Sequence, residues 1–270
     1  MGEQVSARVF VGATNESMAV ETGNGKEPVR ARVDSGTDQP PLVRRAIVEF
    51  VGCFIFLFIG PLLGLVAAEF GVVPVAFGHG LTIALLIISM GHISGGHFNP
   101  AVSLGLLVCG ELAPLDTVVY VASQLLGGLF GAAFVRVVCT ESMYAAIAGG
   151  VTVFGHDQWW RALVAELLLT FVLVNTVLNG AVDAGDPTGA LAIGLSVVAG
   201  IFAGAKVSGA SLNPTRSLGP AIVYSALGGA GHAHWQYHFV YWVGPIGGGL
   251  LAGALYKTVL AKRGKRLLLN

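Results

Sequence analysis

Charge is what this sequence has least of. Only 11% of its 270 residues are Asp, Glu, Lys or Arg, less than half of the roughly 25% carried by an average soluble domain. A soluble enzyme of this size could not cover 54% hydrophobic residues with so few charges, and an intrinsically disordered chain would not hold so many. Lys+Arg and Asp+Glu balance at 15 each, which excludes a basic nucleic-acid binder. Cysteine is scarce as well. Cys53, Cys109 and Cys139 lie far apart with no CxxC spacing, so they read as packing residues and not as a disulfide framework or a metal site. The class that remains is an integral membrane protein, whose 39 glycines let helices approach closely in lipid.

What the sequence does have is long apolar runs. Residues 1–43 are polar, end at Pro40-Pro41 and are expected to be a disordered cytosolic tail without the apolar core of a cleavable signal. A channel domain is expected over 44–262, in two halves of about 44–140 and 158–262, followed by a short cytosolic tail at 263–270. Six apolar segments fall at about 46–68, 73–93, 115–138, 160–182, 188–206 and 237–260, each near the roughly 20 residues that cross a bilayer. Two shorter ones, about 99–108 and 213–223, begin with Asn-Pro and read as re-entrant half-helices. Basic residues cluster in the tail and at the C-terminus, so both ends are expected to be cytosolic, which agrees with an even number of spans.

The chain also repeats itself. Ser94–Gly105 aligns without gaps to Ser208–Gly219 at an offset of 114, matching Ser, Gly, Asn, Pro, Ser, Leu and Gly. Glu49 in the first span finds a counterpart in Glu166 of the fourth. Three spans and a half-helix, duplicated, produce two halves of opposite orientation, with the half-helices meeting near mid-membrane. The prolines suit a first helical turn, so Asn99 and Asn213 become N-caps whose oxygens bind the helix and whose NH2 groups face the lumen. Glu49 and Glu166 are buried acids inside spans. Their symmetric placement points to a structural task, accepting hydrogen bonds from backbone N–H groups of the loops that lead to the half-helices. The pairs Gly60/Gly64, Gly127/Gly131, Gly200/Gly204 and Gly244/Gly248 read as helix crossings. His97 is expected to bond loop backbone. His232, His234 and His238 read as a solvated cluster, with a pH sensor as the sharper alternative.

The paired motifs Asn99-Pro100-Ala101 and Asn213-Pro214-Thr215, the surrounding Ser94-Gly95-Gly96-His97-Phe98 and the Arg216 that follows resemble the aquaporin (major intrinsic protein) family over residues 44–262. Thr215 departs from the family's usual alanine, with a small effect expected on the pore lining. The resemblance implies a right-handed bundle of six helices around two half-helices, a homotetramer with one pore per subunit, and passive flux of water without catalysis, cofactor or metal. In aquaporin-type pores the converging half-helix dipoles and an arginine exclude protons and cations. Counting from the motifs, the resemblance implies a selectivity constriction of His79, Ile201, Ala210 and Arg216. A histidine on the second span facing isoleucine and alanine is similar to the ammonia- and peroxide-permeable aquaporin-8-type branch and to plant tonoplast intrinsic proteins. Ser217 stands where glycerol-conducting relatives carry aspartate, so glycerol is disfavoured. The resemblance also implies weak inhibition by mercury unless Cys53, Cys109 or Cys139 reaches the lumen, because neither Ala210 nor Ser211 offers a thiol. Plasma membrane, vacuole and inner mitochondrial membrane all remain open as locations.

Overall fold

The structure, a computed structural model, describes residues 39–155, 158–183, 188–227, 233–262 and 267–268. The expected disordered tail lies almost wholly outside them, as does His232. All regular elements among the described residues are helical. They are α1 (Leu42–Leu62), α2 (Val72–Ser94), α3 (Pro100–Cys109), α4 (Pro114–Val138), α5 (Trp159–Thr176), α6 (Gly189–Gly204), α7 (Pro214–Ala226) and α8 (Val240–Leu255). Helix α1 continues through Leu63–Val66 and Ala67–Phe70, while α5 and α8 end in π-helical turns at Val177–Asp183 and Tyr256–Leu260. Six helices cross the membrane, and α3 and α7 are the half-helices between them.

Five of these stretches are long and apolar enough to cross a bilayer by length and composition: Leu42–Phe70, Val72–Ser94, Pro114–Val138, Trp159–Asp183 and Ala233–Leu260. The sixth, α6, has 16 residues, a length of about 24 Å and less than the expected 188–206. It stops at Gly204 because the chain must turn there, with Ser208 N–H donating to the Gly204 carbonyl, to start the loop into α7.

Packing follows the repeat. Helix α1 lies along α4 and α5 along α8, while α2 crosses α6 and joins the halves. Each half-helix packs on the last span of the other half, α3 on α8 and α7 on α4. The outside of the bundle is apolar: Leu81, Leu85 and Ile88 of α2 and Val164, Leu168 and Val172 of α5 are all exposed. Polar side chains are inside, including Glu49, Gln124 and Glu166. That inversion of the soluble pattern is what lipid demands.

Two of the four glycine pairs are helix crossings. Gly127 and Gly131 of α4 face the Phe50 and Phe54 carbonyls of α1, and Gly244 and Gly248 of α8 lie on α5, so a side chain there would separate the helices. The other two pairs correct the sequence expectation, because they make room for side chains. Gly60 abuts the His79 ring, Gly64 faces Ile147, Gly200 faces Leu212 and Gly204 faces Leu169.

Candidate functional site

The loops that lead to the half-helices carry the same backbone twice. Gly95, Gly96 and Phe98 have φ of 90°, 65° and 46°, and Gly209, Ala210 and Leu212 have 82°, 50° and 56°. Left-handed φ at Phe98, Ala210 and Leu212 costs of order 1–3 kcal/mol each, so something must hold these turns. The two glutamates do so from inside α1 and α5. The Glu49 carboxylate accepts from Ser94 Oγ (2.7 Å), His97 N (3.0 Å), Phe98 N (2.7 Å) and Gln124 Nε2 (2.8 Å). That of Glu166 accepts from Ser208 Oγ (2.7 Å), Ser211 N (2.8 Å) and Leu212 N (2.7 Å). Both residues are fully buried.

Below each loop an asparagine caps a half-helix. Asn99 Oδ1 accepts from Ala101 N and Asn213 Oδ1 from Thr215 N, both at 2.9 Å. The amide nitrogens are partly engaged as well. Asn99 Nδ2 donates to the Leu212 carbonyl (2.8 Å) and Asn213 Nδ2 to the Phe98 carbonyl (2.9 Å). Each NH2 has two hydrogens, so each retains one beyond this exchange between the halves. The sequence reading assigned both to the lumen.

Thr215 is fully buried and its methyl packs on Gly128 of α4. Its hydroxyl has no partner among the described residues. It sits behind the cap, on the helix side.

A cavity of about 270 Å³ lies on the face opposite the start of α1, near the turn from Ala67 to Val72. It brings together His79 from α2, Ile201 from α6, and Ala210 and Arg216 from the second loop and half-helix, with Val72, Val75, Ala205 and Gly209 completing the wall. Arg216 donates to Thr152 Oγ1 and, at 3.5 Å, to the Gly150 carbonyl. Ser217 Oγ lies 3.1 Å from Thr152 Oγ1 and 2.6 Å from Ser211 Oγ. Among the described residues no carboxylate pairs with Arg216. Its positive charge stands beside the cavity without an ion-pair partner in contact, which opposes entry of any cation. Opposite in character is His79, whose Nδ1 lies 2.8 Å from the Val75 carbonyl. A carbonyl only accepts, so Nδ1 carries the hydrogen and Nε2 of the neutral ring is an acceptor.

Thr152 escaped the sequence reading, and no local pattern marks it. Tyr120 and Tyr241 escaped too, although they sit at related places in the third and sixth spans. Their hydroxyls donate to the Ser94 and Ser208 carbonyls, each at 2.7 Å. His97 differs from expectation, because its Nδ1 meets the Ser103 hydroxyl at 3.0 Å. The loop N–H groups are already taken by Glu49. His234 and His238 are also not solvated. Both are buried, His234 Nε2 lying 2.9 Å from Ser225 Oγ and His238 packing its ring 4.7 Å from that of Trp235. Tyr224 and Trp235 pack on His234, and Trp235 and Tyr241 on His238.

Paired half-helices meeting within a six-helix bundle, with buried acids bracing their loops and an arginine-lined cavity beside the second, define a transmembrane channel. The chain belongs to the major intrinsic protein family, whose model matches residues 37–256. It is 40% identical over 233 residues to aquaporin-8 of Mus musculus, spanning 84% of this chain and 86% of that protein. It is 40% identical over 183 residues to aquaporin-4 of Bos taurus, spanning 67% of this chain and 54% of that one. Its fold is similar to the X-ray structure of the aquaglyceroporin from Plasmodium falciparum, with a TM-score of 0.70 and 25% identity over 81% of this chain and 97% of that one. It is a membrane channel of the aquaporin family and not an enzyme.

Cys53, Cys109 and Cys139 are free and buried, and none lines the cavity. Mercuric chloride is therefore expected to leave most of the osmotic water flux intact in stopped-flow light scattering of proteoliposomes.

Proposed function

We propose that this channel conducts water together with ammonia and hydrogen peroxide, passively and in both directions, while excluding protons and ions. The observation that carries the reading is the makeup of the constriction. His79, Ile201, Ala210 and Arg216 come from three elements, α2, α6 and the second loop with its half-helix, to one cavity. Its wall offers an acceptor at His79 Nε2, donors at Arg216 and otherwise apolar surface. Ammonia and peroxide are small, neutral, and both donate and accept hydrogen bonds, so they match that pair as water does. Asn99, Pro100, Ala101, Asn213, Pro214 and Thr215 form the central station, where each asparagine keeps one N–H for a passing oxygen or nitrogen.

A second reading, glycerol conduction, is favoured by the similarity to an aquaglyceroporin. Ser217, already engaged with Ser211 and Thr152, weighs against it. By family likeness the working unit is a homotetramer, with both chain ends on the cytosolic side of a plasma, vacuolar or mitochondrial membrane.

Stopped-flow measurements on proteoliposomes under water, ammonia, peroxide and glycerol gradients test this. Acceleration over empty liposomes is expected for the first three and not for glycerol. Water flux without any ammonia or peroxide flux would overturn the wider solute range.

A further inference from the structure

The His79 ring is held from behind by α1. Phe56 meets it edge to face, with centroids 5.6 Å apart at 85°. One turn on, Gly60 is buried against the imidazole, and a Cβ built on Gly60 would stand 2.7 Å from Nε2 and 3.2 Å from Cδ2. Neither Phe56 nor Gly60 lines the cavity, whereas His79 does. The ring thus lies between α1 and the lumen. Its other nitrogen is tied to the Val75 carbonyl on its own helix, so it cannot turn away without losing that bond.

From this we infer that Gly60 is a positioning residue for solute selection. The missing side chain at 60 is the space that lets His79 stand back from the lumen, and the bore of the constriction is set on α1, outside the pore wall. This rests on the reading of His79 as a constriction residue. Any side chain at position 60 drives the imidazole away from α1, toward Ile201 and Arg216, and narrows the passage. Real Cβ atoms do not tolerate so close an approach, so the ring must yield.

The test uses the full chain in proteoliposomes and reads hydrogen peroxide flux relative to osmotic water flux, for Gly60→Ala, His79→Ala and the double variant. Gly60→Ala is expected to lower the peroxide-to-water ratio by about tenfold, since the ring intrudes into the narrowest section. His79→Ala raises that ratio. The double variant is expected to match His79→Ala, because the group that Gly60 positions is gone. An unchanged ratio in Gly60→Ala, with His79→Ala altered, overturns the role of Gly60 and leaves the constriction standing. An unchanged ratio in His79→Ala removes the constriction reading itself, and Gly60 with it. If Gly60→Ala fails to fold, the double variant decides. Folding and conduction like His79→Ala uphold the inference, and failure of both shows that Gly60 serves helix packing alone.

Discussion

Glu166→Gln is expected to destabilise the second pore loop by about 3 kcal/mol, because a buried amide N–H that loses its acceptor costs roughly 1–3 kcal/mol and the new NH2 group adds unpaired donors. Every group that faces the Glu166 carboxylate is a donor: Ser208 Oγ, Ser211 N and Leu212 N. Glutamine keeps one accepting oxygen and turns a donor toward the rest. The turn at Ala210 and Leu212, with φ of 50° and 56°, then loses what holds it. Glu49→Gln is expected to cost less. Gln124 Oε1 is buried without a partner, so that amide can flip and accept from the new NH2. Position 245, the matching place on α8, is a proline and offers no such rescue. Thermal midpoints of the detergent-solubilised variants, read beside water flux, check both the direction and the asymmetry. Equal midpoints for Glu166→Gln and the parent would show that the carboxylate does not brace the loop.

Arg216→Ala is expected to keep water moving and to open the pore to what it now rejects. Among the described residues the guanidinium bonds neutral oxygens alone, Thr152 Oγ1 and the Gly150 carbonyl, so removing it deletes one positive charge and widens the cavity together. Proton or cation conductance is expected to rise by about an order of magnitude, the scale of an electrostatic barrier lowered by one to two kcal/mol. Glycerol passage is expected to rise with it. Dye-monitored proton flux and glycerol-driven reswelling of proteoliposomes measure the two separately. If neither moves, Arg216 does not guard the lumen. Thr152→Val is the gentler companion, since it keeps the charge and frees the side chain to swing.

The spans could be read from the sequence because each is a local property. About twenty apolar residues cross a bilayer whatever lies beside them, and α6 is shorter than its apolar run while α8 starts three residues late. The half-helices were equally legible, since Asn-Pro at a helix start is a local signal and its recurrence at a fixed offset marks the duplication. The glycine pairs were harder. The small-xxx-small spacing is the same at 60/64 and at 127/131, yet one pair receives a ring and a side chain while the other receives a helix backbone. Spacing records that room exists and says nothing about what fills it.

The residues around the cavity divide in the same way. His79, Ile201, Ala210 and Arg216 could be named by counting from the motifs, while Thr152, Phe56 and Gly60 could not. The first four owe their places to register along helices of known start. The other three meet the site only because a loop folds over Arg216 and α1 packs behind α2. The number of crossings, the inverted repeat and the two asparagine caps follow from hydrophobic length and local helix chemistry along the chain. Tertiary structure alone decided that each asparagine donates to the opposite loop, which side-chain and backbone donors each glutamate takes, and that Arg216 rests on Thr152. Those contacts join residues 42 to 115 positions apart. No pattern along the chain encodes them, because they exist only once the two halves have closed on each other.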